Sequence, residues 1–331
     1  MKAPTVHVIL PFAASLAEPC QQALPQLDRA EHLSNLRFLL AHLKPDTPIG
    51  TDEYALSMPH ERILAEQLGW QALDDGCLPW AAWQARQTGI EVAQQAWGVL
   101  TPCHWLMGRD SLTMLDPDEL HLHESESHTL LEAIRPWFEE EGWTLHYQSP
   151  TCWLASHESL RDLPTASLDR VIGRNPDVWL PEHPNARLVK RLQNEVQMLM
   201  YQHPLNDQRA AAGQLPVNSF WLSGTGALPA GTPSSLPATT RLDDALRTPL
   251  LATNMADWLA AWERLDATVL ADARLALEAG QPVTLSLCGE RHAASWEAGR
   301  TMNPAARVGD WLKHLLGISP IPLLSAQLAA L

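Results

Sequence analysis

The sequence predicts an α/β protein with a mixed sheet flanked by helices. Three observations carry this. Short apolar runs rich in β-branched residues, such as Thr5–Leu10 and Val217–Leu222, are bounded by Pro, Gly or Asn and read as strands. Longer stretches with apolar residues at helical spacing alternate with them. Three pairs of strand-like runs are close enough in sequence to pair locally, which adds antiparallel pairing to an alternating pattern. The 331 residues, 46% of them hydrophobic, can fill one large core or two modest ones. We read one α/β domain over 1–331, with 172/173 as its point of subdivision into N- and C-terminal halves. No internal repeat is evident.

In order along the chain, Thr5–Leu10 is a buried first strand ending at Pro11. Residues 31–43 and 58–68 have helical spacing, the second through Met58, Ile63, Leu64 and Leu68. The Ala/Gln/Trp-rich stretch 80–97 reads as a helix. Gly98–Met107 reads as a strand, with Leu112–Leu115 as a partner. Residues 125–141 gather Leu130, Leu131, Ile134, Trp137 and Phe138 on one helical face. Runs 143–148 and 151–156 flank Ser149-Pro150 as a hairpin. A Pro/Asn/Asp-rich loop at 173–185 precedes a helix over 185–202 with the stripe Leu188, Leu192, Val196, Leu199 and Met200. His203 continues that stripe. Asn206 suits the N-cap of a short helix that Gly213 stops, leaving Arg209 exposed. A strand over 217–222 leads to a turn at Gly224 and Gly226, then a loop to 240. A helix covers 254–279, and a hairpin joins 283–287 to 292–296 around Gly289-Glu290. A terminal helix is expected near 304–316, before a Pro-broken tail at 318–331.

Composition limits the function classes. Net charge is −15, and segment 116–141 carries nine acids against one base, Arg135. Such a surface repels phosphate backbones, and no basic stripe with interleaved aromatics is present, so no nucleic-acid partner is expected. No run approaches 18 apolar residues, and the start of the chain lacks a signal-peptide pattern, so no membrane partner is expected either. Five cysteines, none within four residues of another, give no zinc-knuckle spacing and suit reduced thiols in a cytoplasm. Fourteen Trp against three Tyr and four Phe supply large packing area.

One stretch gathers polar chemistry: His203-Pro204-Leu205-Asn206-Asp207-Gln208-Arg209, then Gly213, then Pro216-Val217-Asn218-Ser219-Phe220-Trp221-Leu222-Ser223-Gly224-Thr225-Gly226. A cation, short polar side chains and Gly-flanked backbone N–H groups together suit an anion such as a phosphate. The same residues also suit packing: a stripe end, a cap, a helix stop and a turn. Elsewhere His121, His123 and His128, beside Glu119 and Glu124, are the only alternative for a metal such as Zn or Fe. No Gly-x-Ser-x-Gly, Gly-x-Gly-x-x-Gly or Walker-A run occurs. The Cys288-Gly289-Glu290-Arg291-His292 run reads as a hairpin turn.

The block 203–226 resembles a motif of the archaeal-type, cofactor-independent phosphoglycerate mutases: His-Pro-x-Asn-x-x-Arg, a Gly, then Asn-x-x-Trp-Leu-x-Gly-x-Gly. The resemblance implies a degenerate alkaline-phosphatase-like core. It marks His203, Asn206, Arg209, Asn218, Trp221, Gly224 and Gly226 as ligand-binding residues. That superfamily holds two divalent metals through an N-terminal strand ending in Asp-Gly and through C-terminal runs containing His. Here the first strand ends in Leu10-Pro11-Phe12-Ala13-Ala14-Ser15, the only Asp-Gly is Asp75-Gly76, and Ser319-Pro320-Ile321-Pro322 lacks a His. No cofactor is therefore expected, and no catalytic residue can be named. Over its full length the chain is similar to the RpfE-type proteobacterial regulatory proteins, which share the strand start, the block and Leu287-Cys288-Gly289-Glu290-Arg291. That similarity implies a non-catalytic or weakly catalytic regulatory protein binding a phosphorylated small molecule or a protein partner. A working phosphoryl-transfer enzyme and a protein-interaction scaffold are the alternatives.

Overall fold

A computed structural model describes residues 5–29, 33–46, 49–50, 52–70, 72–109, 111–298 and 323–331. These residues form strands β1 (Val6–Leu10), β2 (Lys44–Pro45), β3 (Ile49–Gly50), β4 (Trp97–Cys103), β5 (Trp105–Met107), β6 (Leu112–Met114), β7 (Thr144–Ser149), β8 (Cys152–Ser156), β9 (Ser219–Gly226), β10 (Thr240–Leu242), β11 (Val283–Cys288) and β12 (His292–Glu297). The chain is α/β, with a mixed sheet flanked by helices. It divides into two compact units, Met1–Tyr54 with Pro59–Ile63 and Ser235–Leu331, and Ala55–Met58 with Leu64–Ser234. Residues 172 and 173 both lie inside the second unit. Among the described residues no helix is long and apolar enough to cross a membrane, and all five cysteines are free.

The first unit is built on a sheet of order β10-β1-β11-β12-β2, with β3 also paired to β12. β1 runs parallel to β10 and β11, and β12 is antiparallel to β11, which makes the sheet mixed. Strand alternation separates its two faces. Val8, Leu10, Leu285 and Leu287 are fully buried on one. On the other, His7 Nε2 lies 2.8 Å from Ser286 Oγ, which lies 2.7 Å from Ser295 Oγ. Burial pulls the His7 imidazole down to about 4, so it is neutral at neutral pH.

The expected helix over 254–279 forms as Met255–Leu265, a π-helical turn Asp266–Leu270 and Ala271–Glu278. Asp266, on that turn, caps the helix Ser34–His42. Its carboxylate accepts the Leu36 N–H at 2.8 Å and the Asn35 N–H at 3.2 Å. Those are orphan donors of a helix start, and Leu33 before them has a left-handed φ of 54°. The terminal helix expected near 304–316 lies outside the described residues. The tail is described from Leu323 and contains the helix Leu324–Leu328.

The second unit holds the antiparallel sheet β7-β8-β4-β9 and the hairpin β5-β6. Helices Glu124–Glu140 and Ala186–Tyr201 supply Leu130, Ile134, Phe138, Leu192 and Val196 to a core shared with Trp153 and Phe220. The stripe read in the sequence is what that core buries. Helix Trp80–Gln87 packs Ala81, Ala82 and Ala85 against Trp97 and Leu154. It stops well short of 97, because the chain turns at Gly89 with φ 82°. The expected strand 98–107 divides at His104, whose Nδ1 is bonded to the Pro216 carbonyl at 2.8 Å. Edge strand β9 is closed by two helix side chains. Gln193 Nε2 donates to the Phe220 carbonyl at 2.8 Å, and Gln197 Nε2 to Ser219 Oγ at 3.0 Å.

Candidate functional site

The block 203–226 lies wholly in the second unit, at the C-terminal end of helix Ala186–Tyr201. His203 caps the next helix, Pro204–Ala211, its ring nitrogen accepting the Leu205 N–H at 3.2 Å. His203, rather than Asn206, is therefore the N-cap. Pro204 at the first helical position fixes that start, because its missing N–H needs no partner there. Gly213, with φ 73°, ends the segment as expected.

Asn206 is inside the helix and buried. Its amide accepts the Val217 N–H at 2.9 Å and donates to the Val217 carbonyl at 2.7 Å and the Met200 carbonyl at 2.8 Å. Asn218 does the same to another segment. It accepts the Trp105 N–H at 2.7 Å and donates to the Trp105 carbonyl at 2.9 Å. Each amide thus pairs with one residue's backbone as a neighbouring strand would. Asn206 thereby satisfies the main chain of Val217, just before β9, and Asn218 that of Trp105, at the start of β5. The Trp221 indole is 2% exposed and donates to the Ala166 carbonyl at 3.0 Å.

Arg209 differs from the sequence expectation of an exposed residue: it is 1% exposed. Its Nε donates to the Leu215 carbonyl at 2.9 Å, Nη1 to Glu126 Oε2 at 2.7 Å, and Nη2 to the Leu120 carbonyl. All three guanidinium nitrogens are used inside the unit. The physical reason is that the helix turns this face toward the 115–126 segment, where the Leu120 carbonyl and the Glu126 carboxylate, with the Leu215 carbonyl that follows the helix, accept the donor fork. Glu126 is 16% exposed at the side chain and also accepts the His123 N–H at 2.9 Å. Burial would raise its carboxyl. The His123 N–H and the Arg209 guanidinium outweigh that and hold it below the usual carboxylate range.

Gly224 and Gly226 close β9 rather than forming a free turn. Trp97 pairs with Gly226 and Val99 with Ser223, so the register shifts and the glycines make a β-bulge. Gly224 has φ 63°, and a Cβ there would stand 3.1 Å from Trp80 Cβ and 3.2 Å from the Ala81 nitrogen. The bulge thus lets helix Trp80–Gln87 approach the strand backbone.

The polar side chains among these seven residues are bonded to other residues: His203 to Leu205, Asn206 to Met200 and Val217, Asn218 to Trp105, Trp221 to Ala166, and Arg209 to Leu120, Leu215 and Glu126, while Gly224 and Gly226 lie at the Trp97 end of β9. His121, His123 and His128 do not converge. His121 ends the turn Pro117–Leu120, His123 precedes helix Glu124–Glu140, and His128 stacks on Tyr147 at 3.7 Å. Among the described residues no group of three or more His, Cys, Asp or Glu is arranged to hold a metal ion. Ser319-Pro320-Ile321-Pro322 lies outside the described residues. Sequence reasoning missed Glu126. Its place three residues after a helix start, as in a capping box, was the one available signal.

No protein-family model matches the chain, and no curated protein matches it in sequence. Among solved structures it is similar to the cofactor-independent phosphoglycerate mutase from Thermoplasma acidophilum DSM 1728, at 14% identity and a TM-score of 0.37, over 90% of this chain and 91% of that one. It is also similar to the PH0037 protein from Pyrococcus horikoshii, at 10% identity and a TM-score of 0.43, over 90% and 88% of the two chains. At these identities the likeness is one of fold.

Proposed function

We propose that this chain is a non-catalytic regulatory protein of the RpfE type, related to the phosphoglycerate mutases, and that it acts by binding. The observation that carries this reading is the end of β1. The metal-dependent relatives of the resemblance have an Asp-Gly there. Here Phe12, Ala13 and Ala14 are 4%, 0% and 2% exposed. Phe12 takes a left-handed φ of 60°, packs its ring 5.7 Å from that of His60, and accepts the Trp258 indole N–H on its carbonyl at 3.1 Å. Phe12, Ala13 and Ala14 carry no carboxylate or imidazole where the relatives of the resemblance have an Asp, so these residues do not fit the metal pair.

The ligand favoured by this reading is a protein partner. A phosphorylated metabolite bound through Arg209 would have to displace Glu126 and two carbonyls from a buried guanidinium, with no net gain of charge-assisted bonds. The test combines a coupled mutase assay with Mn or Mg and thermal shift with 2- and 3-phosphoglycerate. No turnover and no saturable shift are expected. Metal-dependent isomerisation that vanishes on replacing a single Ser would overturn the non-catalytic reading. A saturable phosphoglycerate shift abolished in Arg209→Lys would restore the metabolite reading.

A further inference from the structure

In the first unit, helix Ala271–Glu278 lies against the sheet face that carries Val6 and Val8, and it does not fill the space there. Ala273, Ala276 and the capping Ala279 recur at a spacing of three, so the helix offers only methyl groups on that side. A cleft of about 420 Å³ is left between helix and sheet edge. Small-molecule sites typically span about 300–1,000 Å³. Val8 and Ala273, almost wholly buried, line its apolar base. Its rim is polar. β10 is the outermost strand, and its register with β1 puts Arg241 beside Val8 on the same face. Arg241 Nη1 donates to Asp272 Oδ2 at 2.8 Å, and both side chains are more than half exposed. That single bond joins the strand edge to the start of the helix. Among the described residues it leaves the other guanidinium N–H groups and Asp272 Oδ1 without a partner.

We propose that this cleft binds a small aliphatic molecule with an uncharged amide head. The apolar walls take the chain out of water. The amide carbonyl accepts from Arg241 while its N–H donates to Asp272, so each half of the ion pair gains a bond and no net charge is added. A carboxylate head would gain Arg241 but face the like charge of Asp272. An ammonium head would gain Asp272 but face that of Arg241. The pair therefore selects a head that is both donor and acceptor. From Asp272 to Ala279 the helix rises about 10 Å, which suits a chain of medium length. The cleft uses no residue of the block 203–226 or of the end of β1, so its fate is independent of the function proposed above.

The test is calorimetric titration of the full chain with octanamide, using octanoate and octylamine as its charged counterparts. Saturable octanamide binding is expected, about tenfold tighter than either charged probe, which is the worth of about one hydrogen bond. Ala276→Phe fills the cleft from a half-buried position and should weaken octanamide at least about tenfold, with melting near that of the wild type. Asp272→Asn and Arg241→Gln alter only exposed side chains. The first should bring octanoate ahead of octanamide, and the second should bring octylamine ahead. No saturable heat from octanamide overturns the proposal. Octanamide binding unchanged in folded Ala276→Phe overturns the place, and a ranking of the three probes that neither rim variant alters overturns the head. Where Ala276→Phe does not fold, the ranking in the two rim variants decides.

Discussion

Replacing Arg209 by Met should destabilise the second unit by about 3–5 kcal/mol. Met keeps much of the aliphatic volume and removes the guanidinium. The loss then has two sources. Glu126 is left charged, and the Leu120 and Leu215 carbonyls lose their donor. Breaking a buried ion pair costs about 3–5 kcal/mol, and an orphaned buried acceptor about 1–3 kcal/mol. The terms overlap, and Glu126 at 16% exposure can recover some hydration, so the lower end is expected. The assay is urea unfolding followed by tryptophan fluorescence. With about 2–4 °C per kcal/mol for a unit of this size, melting should fall by about 6–12 °C. A double-mutant cycle with Glu126→Gln should return a coupling of about 0.5–3 kcal/mol, since the two side chains touch. An exposed arginine would cost about 0.5 kcal/mol or less. A loss of that size, with no coupling to Glu126, would refute the inward clamp and restore an outward-facing Arg209.

Two further predictions concern conformation and protonation. Gly224→Ala should cost about 1 kcal/mol more than Gly213→Ala. Both have positive φ, but only the first meets helix Trp80–Gln87, within 3.2 Å, while the second has nothing within 4 Å. Equal costs would show that the close approach is not felt. His7, held at about 4 against an ordinary 6.5, binds its proton less readily folded than unfolded. Its contribution is therefore fully present above pH 6.5 and is lost as pH falls toward 4, by about 3 kcal/mol in all. The urea midpoint of the wild type should fall more steeply over that window than that of His7→Gln, and parallel profiles would refute the assignment.

Patterns of short range were legible in this sequence, and pairings of long range were not. The stripe Leu188–Met200, the hairpin around Ser149-Pro150 and the strand at Thr5–Leu10 each state their period within a dozen residues, and each forms close to where the pattern puts it. The π turn at Asp266–Leu270 hides inside a good helical period because it interrupts only one turn. Its purpose, capping a helix whose first residues are more than 200 positions away, has no local trace. The same holds for the block 203–226. Local rules offer Asn206 as a cap and Arg209 as a free cation because they see only neighbours in sequence. The partners that decide both roles are Val217, eleven residues on, and Glu126, more than eighty residues back. A motif whose polar groups are spent on partners inside the fold reads, in sequence, just like one that presents them to a ligand. His, Asn and Arg at helical spacing fix which atoms are available, and only the fold decides whether those atoms point outward. That is why the block taken by itself is a poor guide to activity.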